Sequence, residues 1–237
     1  IKPKNATKAY DGKPLKATEW EVASGSFVDG QSIVDPQYDG SQTVPGSSES
    51  SITKWGYAEG TNAVNYNITA AKGSLTVTDR ADGEKYKITV KAHSAESTYD
   101  GDEHMAEGFE TLEFTVDGNK YTVSGLSASV SGTDAGTYPN NVTGAAKVTD
   151  AAGNDVTSQF SVTTESGSLV INKAKATIAP KDATKAYDGT DLKASEFVTE
   201  GFVKDQGVKS ATFTGSQLNV GTSKSGIDGY VLADGAN

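Results

Sequence analysis

The string ATKAYDG occupies residues 6–12 and returns, letter for letter, at residues 183–189. A shorter relative, ESTYDG, ends at Gly101. The three tyrosines, Tyr10, Tyr99 and Tyr187, stand 89 and 88 residues apart. Near-equal intervals are the mark of a duplicated module, not of chance recurrence. Two further strings keep the same order. NYNITAAKGSLTVT at residues 65–78 matches QFSVTTESGSLVIN at 159–172, which sets Tyr66 against Phe160 and Leu75 against Leu169. DGSQTVPG (39–46), GTDAGTYP (132–139) and TGSQLNVG (214–221) lie between the others. A period of this length suits a small autonomous domain. The expected division is residues 1–82, 83–173 and 174–237, with the third module lacking its closing strands.

Within each module the pattern is that of strands. In KYKITVKA, Tyr86, Ile88 and Val90 fall on one face. In TLEFTVDG, Leu112, Phe114 and Val116 do the same. Period-two alternation, β-branched residues and Gly/Asn/Asp punctuation predict short strands joined by tight turns. Asp117-Gly118 predicts a hairpin, because both residues tolerate positive φ. Helix candidates are short, PLKATEW (14–20) and DLKASEF (191–197), with Leu15 and Leu192 turned inward. The expected fold is therefore mainly β, as tandem small β-sandwich modules with at most short helices. An immunoglobulin-like sandwich is favoured for the second module, where DAGTY (134–138) is similar to a tyrosine corner. A β-grasp-like sheet, with first and last strands parallel and a short helix on one face, is the alternative for the outer two.

Composition narrows the function classes. The 237 residues carry 21 basic and 31 acidic side chains, a net charge of −10. That balance argues against nucleic acid and anionic membranes as partners. There is no cysteine, which excludes thiol catalysis, a Cys-ligated zinc and disulfides. No targeting or membrane-spanning run is present, and IKPK opens as if within a strand, so a fragment of a longer protein is expected.

Each Tyr-Asp-Gly (Tyr10, Asp11, Gly12; Tyr99, Asp100, Gly101; Tyr187, Asp188, Gly189) reads as the structural turn that closes the first strand. Asp bonds nearby backbone and Gly takes a positive φ, while Tyr buries its ring with its hydroxyl on a polar partner. A calcium site on Asp11, Asp100 and Asp188 competes with this reading, but calcium needs roughly six to eight oxygens and no acidic series surrounds them. His93 falls in a strand pattern and His104 in a polar loop. No nucleophile elbow, zinc helix or phosphate loop appears, and repetition in tandem argues against a catalytic cleft. The Asn5, Asn67 and Asn141 sequons read as idle. Trp55 and Tyr57, in TKWGYAEG, are the candidate ligand-binding residues, since a loop Trp-Gly-Tyr can stack on a sugar. Trp20 reads as core.

The ordered set TKAYDG, LKATEW or LKASEF, GSQ…VG and NYNIT…GSLTVT resembles the YDG and MBG-type tandem repeats of bacterial cell-surface, adhesin-like proteins. The resemblance covers nearly the whole chain, with the second module as a variant. It implies an extracellular, surface-exposed array, non-enzymatic and without cofactor, acting as stalk, spacer or adhesin module. Its partners would be neighbouring modules and a host glycan or surface protein, with no nucleic acid and no membrane insertion. A carbohydrate-binding accessory region of a secreted glycoside hydrolase is the alternative.

Three further expectations follow. Lys87 or Lys91 with Asn172 could supply an isopeptide crosslink, but both lysines fall on the polar phase of their strand, so none is expected. The junction at DRADGE (79–84) holds six residues more than the next one, which predicts a looser joint between the first two modules. The third module should lack its YxIT…GxLxI closing segment, expected beyond Asn237, and should carry an open edge.

Overall fold

The computed structural model describes residues 1–233 and 235; Asp234, Ala236 and Asn237 of the closing DGAN lie outside the described residues. About half of the chain is strand, in several small sheets of the β-sandwich type. Helix is confined, among the described residues, to single 3₁₀ turns at Ala63–Asn65, Asp82–Glu84 and Thr157–Gln159. The chain forms two compact units. One comprises Ile1–Val90, Thr111–Leu126 and Gly144–Thr164, the other Lys91–Glu110, Ser127–Thr143 and Glu165–Asn237. Residues of the second sequence repeat are thus divided between them.

In the first unit a four-stranded sheet runs in the order Ala6–Ala9, Gly73–Thr78, Gly46–Tyr57, Ile33–Asp39. Gly73–Thr78 lies parallel to Ala6–Ala9, with Ala6 opposite Leu75, and antiparallel to Gly46–Ser50, with Ser50 opposite Gly73. Its alternation explains why it is central: Gly73, Leu75 and Val77 point inward and are buried. Each such apolar side chain contributes about 1.5–3 kcal/mol by leaving water. Gly73 is obligatory for packing, since a Cβ there would lie 2.5 Å from the Pro3 carbonyl oxygen. A core of Ile1, Ile33 and Ile52 is flanked by Trp20, Phe27, Tyr38, Trp55 and Ile68. The hairpin Glu113–Val116 to Asn119–Ser127 turns at Asp117 (φ 50°) and Gly118 (φ 83°). Its Tyr121 and Val123 are buried, as are Val148, Val156 and Phe160.

The second unit repeats the central motif. Gly167–Asn172 lies between Ala95–Thr98, parallel, and Gly136–Asn140, antiparallel. Leu169 and Ile171 are buried with Ala106, flanked by Tyr99, Val130 and Tyr138. Tyr138 donates its hydroxyl to the Asp134 carbonyl at 2.9 Å, the back-bond of a tyrosine corner. Further antiparallel pairs join His104–Glu107 to Ser129–Gly132, Thr177–Pro180 to Phe197–Glu200 and Val208–Thr214 to Gly226–Leu232.

The two expected short helices are absent. Neither 14–20 nor 191–197 is helical. Leu15 instead exchanges backbone hydrogen bonds with Gln42 at 2.8 and 3.0 Å, and Leu192 does so with Gln217 at 2.9 and 3.0 Å. A residue whose N–H and C=O are both spent on an antiparallel bridge has none left for a helical turn. Of the two features of the β-grasp alternative, the parallel first and last strands are present in the first repeat, and neither outer repeat has the helix among the described residues.

Candidate functional site

The Tyr-Asp-Gly turn has one geometry in all three copies. The Asp Oδ1 accepts a backbone N–H two residues on, at 2.9 Å in each case: Lys13 to Asp11, Asp102 to Asp100, Thr190 to Asp188. The glycine is left-handed each time, with φ of 72°, 78° and 76° at Gly12, Gly101 and Gly189. Only glycine adopts this backbone without strain. Lys8 bonds Asp11 at 2.5 Å and Lys185 bonds Asp188 at 2.8 Å. Partial burial works to raise the Asp11 carboxyl, but the bonds from Lys8 and Lys13 outweigh it and hold it below its ordinary value. Asp188 is held at about 2 by the Lys185 ammonium and then by Thr190. These carboxylates are committed to the turn itself. Among the described residues no three His, Asp or Glu side chains are grouped as metal ligands would be. His104 reaches Asp100 at 2.9 Å, and His93 is exposed.

The tyrosines differ. Tyr10 is fully buried. Its N–H bonds the Thr78 carbonyl at 2.9 Å, within its own repeat. Its hydroxyl and its carbonyl are met from the next repeat and from the junction. Its hydroxyl lies 3.3 Å from that of Tyr121. Arg80 Nη1 donates to the Tyr10 carbonyl at 2.9 Å while its guanidinium stacks 4.1 Å from the Tyr86 ring centroid. Asn119 Nδ2 donates to the Asp11 carbonyl at 3.0 Å. Phe160 packs on both Tyr121 and Tyr86, with centroids 4.8 and 5.5 Å away. Burial first, then the Tyr121 hydroxyl, push the Tyr10 phenol well above its usual value.

Three residues of the longer junction, Asp79, Arg80 and Glu84, take part in hydrogen bonds. The Arg80 N–H donates to Gln159 Oε1 at 2.9 Å, and its Nε donates to the Glu84 carbonyl at 2.7 Å. Ser158 Oγ and Gln159 Nε2 both donate to Asp79. The length difference that suggested a looser joint supplies these bonds, and of the residues that make them Gln159 is buried.

Tyr99, half-buried, is treated the same way by the third repeat. Its N–H bonds the Asn172 carbonyl at 2.8 Å, and Gln206 Nε2 donates to its hydroxyl. Lys204 Nζ reaches the Gly101 carbonyl at 2.5 Å and Asp102 Oδ1 at 2.6 Å. A cavity of about 390 Å³ opens beside this contact, lined by Tyr99, Phe202, Val203 and Gln206 among others. Tyr187, by contrast, is 64% exposed.

The covering residues share a place in their own repeats. Asn119 and Gln206 each close a tight turn three residues after a valine, at Val116–Asn119 and Val203–Gln206, and Val28–Gln31 is the matching turn of the first repeat. Each turn is pinned at its base, by ladder pairing of Val116 with Asn119 and by bonds from Gln206 to Val203 (3.0 Å) and Gln31 to Val28 (2.9 Å). Sequence reasoning passed over Asn119, Tyr121, Arg80, Gln159, Lys204 and Gln206. The recurring Val-x-x-Asn/Gln was the one signal available, and it is too short to stand out unaided.

Trp55 is half-buried on the flank of the Ile1/Ile33/Ile52 core, while Tyr57 is 39% exposed. The register of the two long hairpins places Tyr230 where Trp55 stands, since Tyr38 pairs with Ile52 as Phe213 pairs with Ile227. The third repeat thus also carries an aromatic at this position. Lys91 is engaged with Glu110 at 3.1 Å, and the Asn172 amide with Glu96 at 2.7 Å.

No family model matches the chain, and no curated protein matches it. Among the described residues no helix is long and apolar enough to cross a membrane.

Proposed function

We infer that this chain is a non-enzymatic, extracellular tandem-repeat segment of a bacterial surface protein of the YDG/MBG-repeat kind, serving as a stalk or spacer. One observation carries the reading: the most strictly repeated string of the sequence, Tyr-Asp-Gly, is bound twice by a turn of the following repeat, at Tyr10 and at Tyr99. A string repeated for ligand chemistry would keep its polar groups free to meet the ligand. Here the tyrosine hydroxyls, the Asp11 and Gly101 carbonyls and the Asp carboxylates are spent on internal bonds. A spacer needs joints of this sort, because repeats joined only by flexible linkers bend freely.

The test is a glycan screen of the intact chain, beside the same screen of Trp55→Ala. The spacer reading expects no saturable oligosaccharide binding that depends on Trp55. Saturable binding abolished by Trp55→Ala would replace it with the carbohydrate-binding accessory reading. Pulling a single chain supplies the positive arm: a folded spacer should extend in discrete steps, each lengthening the chain by roughly 3.5 Å per residue released.

A further inference from the structure

In the first two repeats the strand G-S-L-x-V/I fills a slot between two walls. Gly73–Thr78 lies between Ala6–Ala9 and Gly46–Ser50. Gly167–Asn172 lies between Ala95–Thr98 and Gly136–Asn140. The third repeat has both walls, Ala183–Ala186 and Gly221–Ser225, and no described strand between them. Both walls are exposed and form no ladder among the described residues. A groove of about 350 Å³ runs there, bordered by Ala183, Lys185, Gly221 and Ser223 over Leu192.

The frame around the groove is already set as in the filled copy. The Leu192–Gln217 bridge repeats the Leu15–Gln42 bridge. Gln217 Nε2 donates to the Asn219 carbonyl at 2.7 Å as Gln42 Nε2 does to Val44 at 2.7 Å. Ser223 Oγ donates to Ser216 at 3.2 Å as Ser48 Oγ does to Ser41 at 3.0 Å. The entrance is also reproduced. Asn5 Oδ1 accepts the Ser74 N–H at 2.9 Å, and Ser94 Oγ accepts the Ser168 N–H at 3.1 Å. Asp182 holds that position in the third repeat, directly before ATKAYDG. Close backbone approach excludes a side chain on the first residue of the occupant: a Cβ would meet the Pro3 oxygen at 2.5 Å at Gly73 and the His93 oxygen at 2.1 Å at Gly167. Pro180 stands where Pro3 does. The third and fifth residues, Leu75 and Val77 or Leu169 and Ile171, are the buried ones.

We propose that this groove is a strand-acceptor site. Its ligand is an extended peptide segment of the form Gly-Ser-Leu-x-Val/Ile, drawn from the closing strand of a repeat of this same class. The segment enters parallel to Ala183–Ala186 and antiparallel to Gly221–Ser225. Backbone hydrogen bonds to both walls supply affinity, and the Gly, Leu and Val/Ile positions supply selection, as in strand addition generally. The occupant follows from the two internal copies, in which the same walls hold the same sequence.

The test uses the intact chain and a labelled peptide copying residues 71–79 (AKGSLTVTD). Saturable binding is expected, with hydrogen exchange slowed at Ala183–Ala186 and Thr222–Ser225. Replacing the peptide's leucine by aspartate should weaken binding about 10-fold or more, the scale of one buried leucine. Asp182→Ala in the chain should weaken it roughly 2–10-fold, the scale of one hydrogen bond. Absence of saturable binding up to about 1 mM, or equal binding of a scrambled peptide, overturns the proposal. So does protection confined to other residues.

Discussion

The hydroxyl of Tyr10 lies 3.3 Å from the hydroxyl of Tyr121, a residue 111 positions further along the chain. The two belong to different sequence repeats, yet both are fully or nearly fully buried, at 0% and 2% exposure. A string that reads as a local turn is thereby also the seat of a long-range contact. The same arrangement recurs between Tyr99 and Gln206, so the relationship belongs to the repeat and not to one lucky pair.

Truncating the buried tyrosine should be costly. Tyr10→Ala is expected to destabilise the chain by about 3–5 kcal/mol, as large aromatic-to-alanine changes in cores do. Tyr187→Ala, at an exposed copy of the same string, should fall within about 0.5 kcal/mol of the parent. Denaturant unfolding of the two variants checks this. Equal losses would mean that the burial of Tyr10 adds nothing beyond the turn.

The glycines separate turn from joint in a second way. Gly12 and Gly189 have nearly the same positive φ, so alanine strains both alike. At Gly12 the new Cβ would also lie 2.5 Å from Asn119 Nδ2 and 2.6 Å from the Tyr121 hydroxyl, whereas at Gly189 nothing lies within 4 Å. Gly12→Ala should therefore exceed Gly189→Ala by about 1–3 kcal/mol, the usual cost of overpacking. Thermal unfolding of the pair is the measurement, and matching midpoints would count against the joint.

The turn carboxylates set the acid response. Asp188 is held at about 2 by Lys185 and Thr190, below its ordinary 3.8. A carboxyl depressed in the folded state stabilises above its unfolded value and loses that contribution as pH falls through the folded value. The corresponding window is from about pH 4 down to about pH 2. NMR titration of the Asp188 carboxyl should show a midpoint well under 3.8. A midpoint at or above 3.8 would mean that the Lys185 and Thr190 bonds do not form in solution.

Much of this was legible in the chain itself. The recurrence of ATKAYDG, the alternation of Ile88 and Val90, and the Asp117-Gly118 hairpin are all local statements, and local chemistry decides them. Two things were not. PLKATEW and DLKASEF have the composition of short helices, and only the remote partners Gln42 and Gln217 turn Leu15 and Leu192 into bridges. Propensity yields to tertiary pairing in segments this short. The role of Tyr10 was hidden for a related reason. The string announces a turn, but what it bonds lies at Arg80, Asn119 and Tyr121, which no spacing rule connects to residue 10.

No covalent crosslink is expected between Lys87 or Lys91 and Asn172. The Asn172 amide donates to exposed Glu96, Lys91 pairs with exposed Glu110, and no apolar enclosure surrounds them. Intact mass should equal the sum of the residue masses plus one water. A deficit of one ammonia would refute this.

The central claim is that the Tyr-Asp-Gly turn of one repeat and the covering turn of the next act as a unit. A double-mutant cycle on Tyr10→Ala and Tyr121→Ala, read by denaturant unfolding, tests it most directly. Residues that touch and share partners couple by about 0.5–3 kcal/mol, whereas independent sites add to within about 0.3–0.5 kcal/mol. The joint predicts a coupling of at least about 1 kcal/mol, with the double variant less damaged than the sum of the singles. Simple additivity would show that the two repeats meet at Tyr10 without supporting one another there.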